Sequence, residues 1–182
     1  MISLIIPVKN EERVIGETLK KLKEGLARTP HEIIVSDGKS ADRTVLIAQQ
    51  YADQVVVWEK NRRQTIAEGR NLGAGAAGGE YLVFCDADTV IPHADEFFKK
   101  ALGIFAAHPR LAGLTVSIRV LPEYETRGDK IVFTLLNTFH TFMNNVLHAG
   151  RAAGEFQMVR RAAFEKLGGY RADLVASEDY EF

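Results

Sequence analysis

At 182 residues the chain exceeds the roughly 150 at which folding buries about 70% of the unfolded surface, so it can build one complete core. Its 46% hydrophobic and 26% charged residues exclude disordered, fibrous and membrane-spanning compositions. Lys+Arg 23 against Asp+Glu 24 gives a formal net charge of -1, which excludes a broad cationic face for nucleic acid and leaves any anionic partner to be held locally.

Met1 to Val8 has no basic leader, and Pro7 and Lys9 end its apolar run, so the start reads as a strand and not as a secretory signal. The lone Cys85 cannot form an internal disulfide, in agreement with a reducing, cytoplasmic setting. After the Ile2 to Val8 strand, Asn10-Glu11-Glu12 supplies a cap and two acids for the first turn of a helix. In that helix Ile15, Leu19, Leu22 and Leu26 recur at three- and four-residue steps, leaving Lys20, Lys21, Lys23 and Glu24 for solvent. Ile33-Ile34-Val35 predicts a second buried strand, Asp37 to Asp42 a polar turn, and the stretch to about Tyr51 a second helix. Gln54 to Trp58 reads as a third strand, Thr65 to Ala77 as a helix, and Tyr81 to Cys85 as a fourth strand ending in Asp86-Ala87-Asp88. This alternation predicts an α/β fold: a Rossmann-like, open, mostly parallel sheet with right-handed crossovers and flanking helices.

The Gly- and Ala-rich stretch from Arg70 to Ala77 has weak helix propensity but lets its backbone approach a neighbour or a ligand closely. Ala94 to Ala107 is another amphipathic helix, with Phe97, Ala101 and Ile104 on one stripe, and Leu111 to Val120 resumes a strand pattern. From Ile131 to Gly150 there is no Lys, Arg, Asp or Glu, and Val132, Leu135, Leu136, Phe139, Phe142, Met143, Val146 and Leu147 fall at helical spacing. The other face carries Thr134, Asn137, Thr138, His140, Thr141, Asn144, Asn145 and His148, too polar to cross hydrocarbon. An uncharged polar face is unusual in free solvent, and predicts packing on another segment, a second subunit or a membrane surface.

In open parallel sheets the ligand crevice lies beyond the carboxyl ends of the strands. Three polar clusters fall there: Pro7 to Glu11, Asp37 to Asp42, and Asp86 to Asp88. Each alone has a plain structural reading, as a helix cap, a turn and a solvated strand end. Together they converge on one edge. A nucleoside diphosphate brings charge that carboxylates alone would repel, and a divalent cation reverses that sign; Mg²⁺ or Mn²⁺ needs few protein ligands when phosphate and water supply the rest.

The ordered blocks Ser3 to Glu11 (SLIIPVKNE), Glu32 to Thr44 (EIIVSDGKSADRT), Gly69 to Ala74 (GRNLGA) and Phe84 to Asp88 (FCDAD) resemble glycosyltransferase family 2. So do Val159-Arg160-Arg161, the Phe164 to Tyr170 segment (FEKLGGY) and the pair Glu178-Asp179. The resemblance implies a single GT-A domain, with residues 1–110 the nucleotide-sugar half and 111–182 an acceptor-side half that stops early, three residues past Asp179. It implies that Pro7 and Glu11 border the nucleotide base, that Asp37 contacts base or ribose, and that Arg70 and Asn71 lie near the donor. Asp86 and Asp88 would hold ribose, diphosphate and a Mn²⁺ or Mg²⁺ ion. Asp179 is the implied general base, with Glu178 its neighbour and second candidate. Ser36 stands where many relatives have an acid, and Lys39 and Arg43 where Gly is common, which bears on donor identity more than on reaction class.

The activity implied is metal-dependent inverting transfer from a nucleoside-diphosphate sugar to a hydroxyl acceptor, glycan, lipid or small molecule, in polysaccharide or cell-envelope synthesis at the inner face of the membrane. A non-catalytic nucleotide-sugar-binding protein is the alternative, which would keep Asp37, Asp86 and Asp88 but tolerate loss of Asp179. A sugar-phosphate nucleotidyltransferase fits less well, because Pro7-Val8-Lys9-Asn10-Glu11 replaces the Gly-rich, basic stretch it needs. Arg160-Arg161 reads as one packed and one exposed base, or as a phosphate clamp.

Overall fold

The run Ile2–Val8 (β1) is apolar on both faces, a pattern that belongs inside a sheet covered on both sides. A computed structural model describes residues 1–145 and 156–172 of the chain, and it places β1 third in a six-stranded sheet. The elements follow as α1 (Ile15–Gly25), β2 (His31–Asp37), α2 (Thr44–Ala48), β3 (Gln54–Val57), α3 (Ile66–Ala76), β4 (Tyr81–Cys85), α4 (Ala94–Ala107), β5 (Gly113–Thr115), α5 (Arg127–Asn145), β6 (Phe156–Arg160) and α6 (Arg161–Leu167). The strand order is β3-β2-β1-β4-β6-β5. The first four strands pair in parallel, as their alternation with helices predicts, while β6 runs antiparallel to both β4 and β5.

Two cores sandwich the sheet. Ile2, Leu4, Ile6 and Val8 alternate into one with Ile15, Leu19 and Leu22 of α1 and Phe98 and Phe105 of α4. Ile5 enters the other with Leu82, Phe84, Ala67, Ala74 and Phe164. The Gly-rich α3 lies so close to β1 that a Cβ on Gly73 would come within 2.4 Å of Ile5 Cγ2, so close backbone approach is what its small residues serve.

Several local expectations give way to tertiary contacts. Asn10-Glu11-Glu12 does not cap α1, which begins at Ile15. Instead Asn10 turns left-handed (φ 57) and its carboxamide accepts from the Ala41 N–H at 2.8 Å, while the Glu11 N–H donates to Thr44 Oγ1 at 2.8 Å, stitching the loop after β1 to the loop after β2. The helix predicted to Tyr51 closes at Ala48. On α4 the buried stripe is Ala94, Phe98, Ala101 and Phe105, one step from the predicted one, and Ile104 is exposed. Both stripes satisfy helical spacing, and the sheet selects the one that carries two phenylalanines. The strand predicted over Leu111 to Val120 shrinks to three residues because these are the ones that pair with β6, itself unpredicted.

The long uncharged helix starts earlier, at Arg127, behind a reciprocal cap between Thr126 and Asp129. Of its polar side, Asn137 packs on another segment, donating to the Ile118 carbonyl at 2.8 Å and accepting from its N–H at 3.1 Å, while Thr134, Thr138 and Thr141 are exposed in the described structure. Val132, Leu135, Leu136 and Phe139 are exposed in the described structure. Residues 146–150, His148 among them, lie outside the described residues.

Arg160 is a packed base. Its guanidinium stacks on Tyr81 and Phe105 and donates to the carbonyls of Leu111 and Phe105 and to the Tyr81 hydroxyl. Arg161 is half-buried, donating from Nε to the Gly79 carbonyl at 2.6 Å, so neither is an open phosphate clamp.

Candidate active site

Parallel β1, β2 and β4 deliver their carboxyl ends to one edge, where a cavity of about 370 Å³ opens. The end of β1 contributes Pro7 and Val8 and the loop after it Lys9 and Glu11, the loop after β2 contributes Gly38, and the segment after β4 contributes Asp86, Ala87 and Asp88. The cavity size is within the usual range for a small-molecule site.

The acidic triplet leaves the strand before its pleat can continue. β4 ends at Cys85 and residues 86–89 form a turn closed by the Thr89 N–H on the Asp86 carbonyl at 3.1 Å. Thr18 of α1 donates its buried hydroxyl to the Ala87 carbonyl at 2.6 Å, which anchors the turn from below and leaves both carboxylates at the cavity. Behind Asp86 stands Arg70, with a side chain only 4% exposed, its Nη2 4.0 Å from Asp86 Oδ1. A guanidinium buried to that degree requires charge compensation, and Asp86 faces it from the cavity side.

Asp37 and Asn71 sit differently. Asp37 is fully buried, and its carboxylate accepts from the Ser40 hydroxyl at 2.5 Å and from the Ser40 N–H at 2.9 Å, so it shapes the loop that presents Gly38 and is not itself in the lining. Asn71 gives both ends of its carboxamide to the backbone of Tyr170, at 2.8 and 2.9 Å. Lys39 in the same loop as Asp37 is left-handed (φ 65), a conformation that glycine adopts at no steric cost and that explains why glycine suits this position. Asp179 and Glu178 lie outside the described residues.

The wall that sequence reasoning missed is Arg63-Gln64-Thr65-Ile66. Gly38 and Gly69 leave room for the Gln64 carboxamide, since a Cβ at either would fall 3.1 and 3.2 Å from its Oε1. A signal was present: Thr65 and Glu68 have capping-box spacing, and in the structure Thr65 Oγ1 accepts from the Glu68 N–H while Glu68 accepts from the Thr65 N–H. A helix start so marked puts the preceding residues at the sheet edge.

Glu68 also ties this wall together. It pairs with Arg62, whose guanidinium stacks on Trp58, and the Trp58 indole donates to the Arg62 carbonyl at 2.9 Å. Arg62's hydrogen bonds, opposed by burial and helped by the Thr65 N–H, bring the Glu68 carboxyl down from its ordinary 4.5 to about 2. A depressed carboxylate contributes stability above its unfolded value and loses it as pH falls through the folded one, so this contribution is complete above pH 4.5 and disappears toward pH 2. Glu68→Gln is expected to cost about 1 to 2 kcal/mol at pH 7, discounted for the exposed Arg62 partner, with the deficit shrinking as pH falls toward 2. Urea unfolding at several pH values checks it; a pH-independent deficit would show that the carboxylate charge contributes nothing.

A family model described as Glycosyl transferase family 2 matches residues 3–168. The chain belongs to this family. An uncharacterized glycosyltransferase of Haemophilus influenzae is 26% identical over all of the chain and 60% of its own length. Among solved structures, the mannosyltransferase PcManGT from Pyrobaculum calidifontis in complex with GDP-Man and Mn²⁺ superposes with TM-score 0.71 at 24% identity, covering 98% of this chain and 49% of its own. S. aureus TarS 1-349 in complex with UDP-GlcNAc superposes with TM-score 0.67 at 24% identity, covering 98% of this chain and 51% of its own. TarS is named as a poly(ribitol-phosphate) beta-N-acetylglucosaminyltransferase. The fold is therefore GT-A, and the chain spans 60% of the Haemophilus relative and about half of each structure. Within the family-matched region lie all the cavity residues named above.

Proposed function

We propose that this family 2 glycosyltransferase binds a nucleoside-diphosphate sugar in the cavity at the carboxyl edge of the sheet and transfers its sugar, with inversion, to a hydroxyl acceptor. The observation that carries the reading is that Asp86 and Asp88 line one cavity with Pro7, Glu11 and Gly38, joining the acidic turn to the two loops where a base and ribose would lie. The complexes of the two structural neighbours with GDP-Man and UDP-GlcNAc support this donor class, and the name of TarS supports a polymer acceptor of the cell envelope.

Pro7 and Glu11 border the base, with Gln64 closing the opposite wall. Asp37 acts one step back, through Ser40, to hold the loop that approaches the ribose. Arg70 lends fixed positive charge at the diphosphate end. The residues present fit a divalent ion: Asp86 and Asp88 line the same cavity, and two carboxylates suit a Mn²⁺ or Mg²⁺ that shares its shell with phosphate and water. Asp88 and Asp86 would hold that ion, which when bound offsets the charge of the departing diphosphate. Asp179, with Glu178 beside it, takes the proton of the acceptor hydroxyl as its oxygen attacks the anomeric carbon. No helix among the described residues is long and apolar enough to cross a membrane.

A thermal-shift series with UDP, GDP and their sugars, each with Mn²⁺, Mg²⁺ or chelator, tests the reading. A ligand at 100 times its Kd adds about 2.7 kcal/mol, or about 5 to 10 °C for a domain of this size. The expected result is a shift that needs both nucleotide and metal. Absence of any nucleotide-dependent shift would overturn the proposal.

A further inference from the structure

Arg70 and Asn71 are neighbours on α3, and both reach Tyr170, 99 residues further on than Asn71. The Arg70 guanidinium lies over the Tyr170 ring, 5.2 Å from its centroid, on the way to Asp86. Asn71 locks the backbone of the same residue, donating to the Tyr170 carbonyl at 2.8 Å and accepting from its N–H at 2.9 Å. The ring is fixed at its far end too: the Tyr170 hydroxyl donates to Gln157 Oε1 on β6 at 2.5 Å, and Phe84 and Phe164 pack edge-on at 5.0 and 5.7 Å. Gly169 makes this approach possible. It is left-handed (φ +79), and a Cβ there would sit 2.7 Å from Asn71 Oδ1.

A tie between α3 and the chain beyond α6 could be made by apolar packing alone. Here it is built around a buried cation, and a buried cation is costly unless it is paired. The charge is presented at Asp86, which is 41% exposed at the cavity. We infer that Tyr170 and Asn71 are positioning residues that set the Arg70 guanidinium against Asp86 and so fix the positive charge offered to the donor's diphosphate. The ring face attracts the cation, and because the Tyr170 ring is itself held by Asn71, Gln157 and two phenylalanines, that attraction acts from a fixed point.

The inference rests on the cavity being the donor site, and the test separates the two. Titration calorimetry with UDP or GDP plus Mn²⁺ compares Tyr170→Leu with Phe164→Leu, which removes a ring that packs on Tyr170 but leaves the Tyr170 ring itself beneath Arg70. Tyr170→Leu is expected to weaken binding about 10-fold, Phe164→Leu to weaken it less than 2-fold at comparable loss of melting temperature, and Tyr170→Phe to restore most of the affinity. Equal effects of the two Leu variants, or none from either, would overturn the inference. Should Tyr170→Leu not fold, Asn71→Ser keeps every ring and is expected to weaken binding about 3-fold, an unchanged affinity counting against the clamp. If the wild-type chain binds neither nucleotide, the donor reading fails, and the stack is then judged by NMR: an Arg70 Nε–H signal shifted by the Tyr170 ring in the wild type and in Phe164→Leu supports it, and a signal that does not move in Tyr170→Leu overturns it.

Discussion

Asp179→Asn is expected to lower kcat by about 10² to 10⁴-fold, equivalent to about 3 to 5 kcal/mol of barrier, while the donor's Kd changes by less than about 2-fold. The amide has nearly the shape of the carboxylate but cannot accept the acceptor's proton, so the loss falls on turnover and not on binding. The comparison of Asp179→Asn with Glu178→Gln assigns the base between neighbours: the larger kcat loss marks the group that takes the proton. Sugar transfer is followed from whichever donor the thermal-shift series selects. An unchanged kcat in Asp179→Asn would put the base elsewhere.

Asp88→Ala is expected to weaken binding of the nucleoside diphosphate about 10²-fold in Mn²⁺, or about 2.7 kcal/mol, and to leave it the same or slightly tighter in chelator. The two conditions have opposite signs for a physical reason. With the cation present, the carboxylate attracts diphosphate through it; with the cation removed, the carboxylate repels diphosphate directly. Ala has no charge in either case. Calorimetric titration in the two buffers reads both effects, and equal weakening in both would mean that Asp88 contacts the nucleotide without a metal.

Much of this site was legible along the chain, because the residues that carry charge at the cavity lie just past strands with strong apolar signatures. Ile2 to Val8 and Tyr81 to Cys85 are continuous buried runs, so Pro7, Glu11, Asp86 and Asp88 had to emerge at strand ends, and the alternation with helices puts those ends on one edge. Asp37 was equally visible but its use was not. Whether a carboxylate after a strand faces a ligand or folds back onto its own loop depends on local dihedrals, and here Ser40 occupies both of its oxygens. Asn71 was hidden more deeply, since its partner is 99 residues away and no local pattern marks the pairing.

The sequence by itself determined the sheet's parallel half, the buried strands β1, β2 and β4 and the acidic turn at the end of β4, since these follow from side-chain hydrophobicity and short-range backbone preference. Tertiary structure alone decided which stripe of α4 is buried, that β6 returns antiparallel beside β4, and that Arg70, Asn71 and Tyr170 form one unit behind Asp86. Those outcomes depend on contacts between segments far apart in the chain. Helical spacing on α4 admitted two stripes, and packing against the sheet chose between them; likewise a buried guanidinium could take its position only once α3, β4 and the turn after α6 had been brought together.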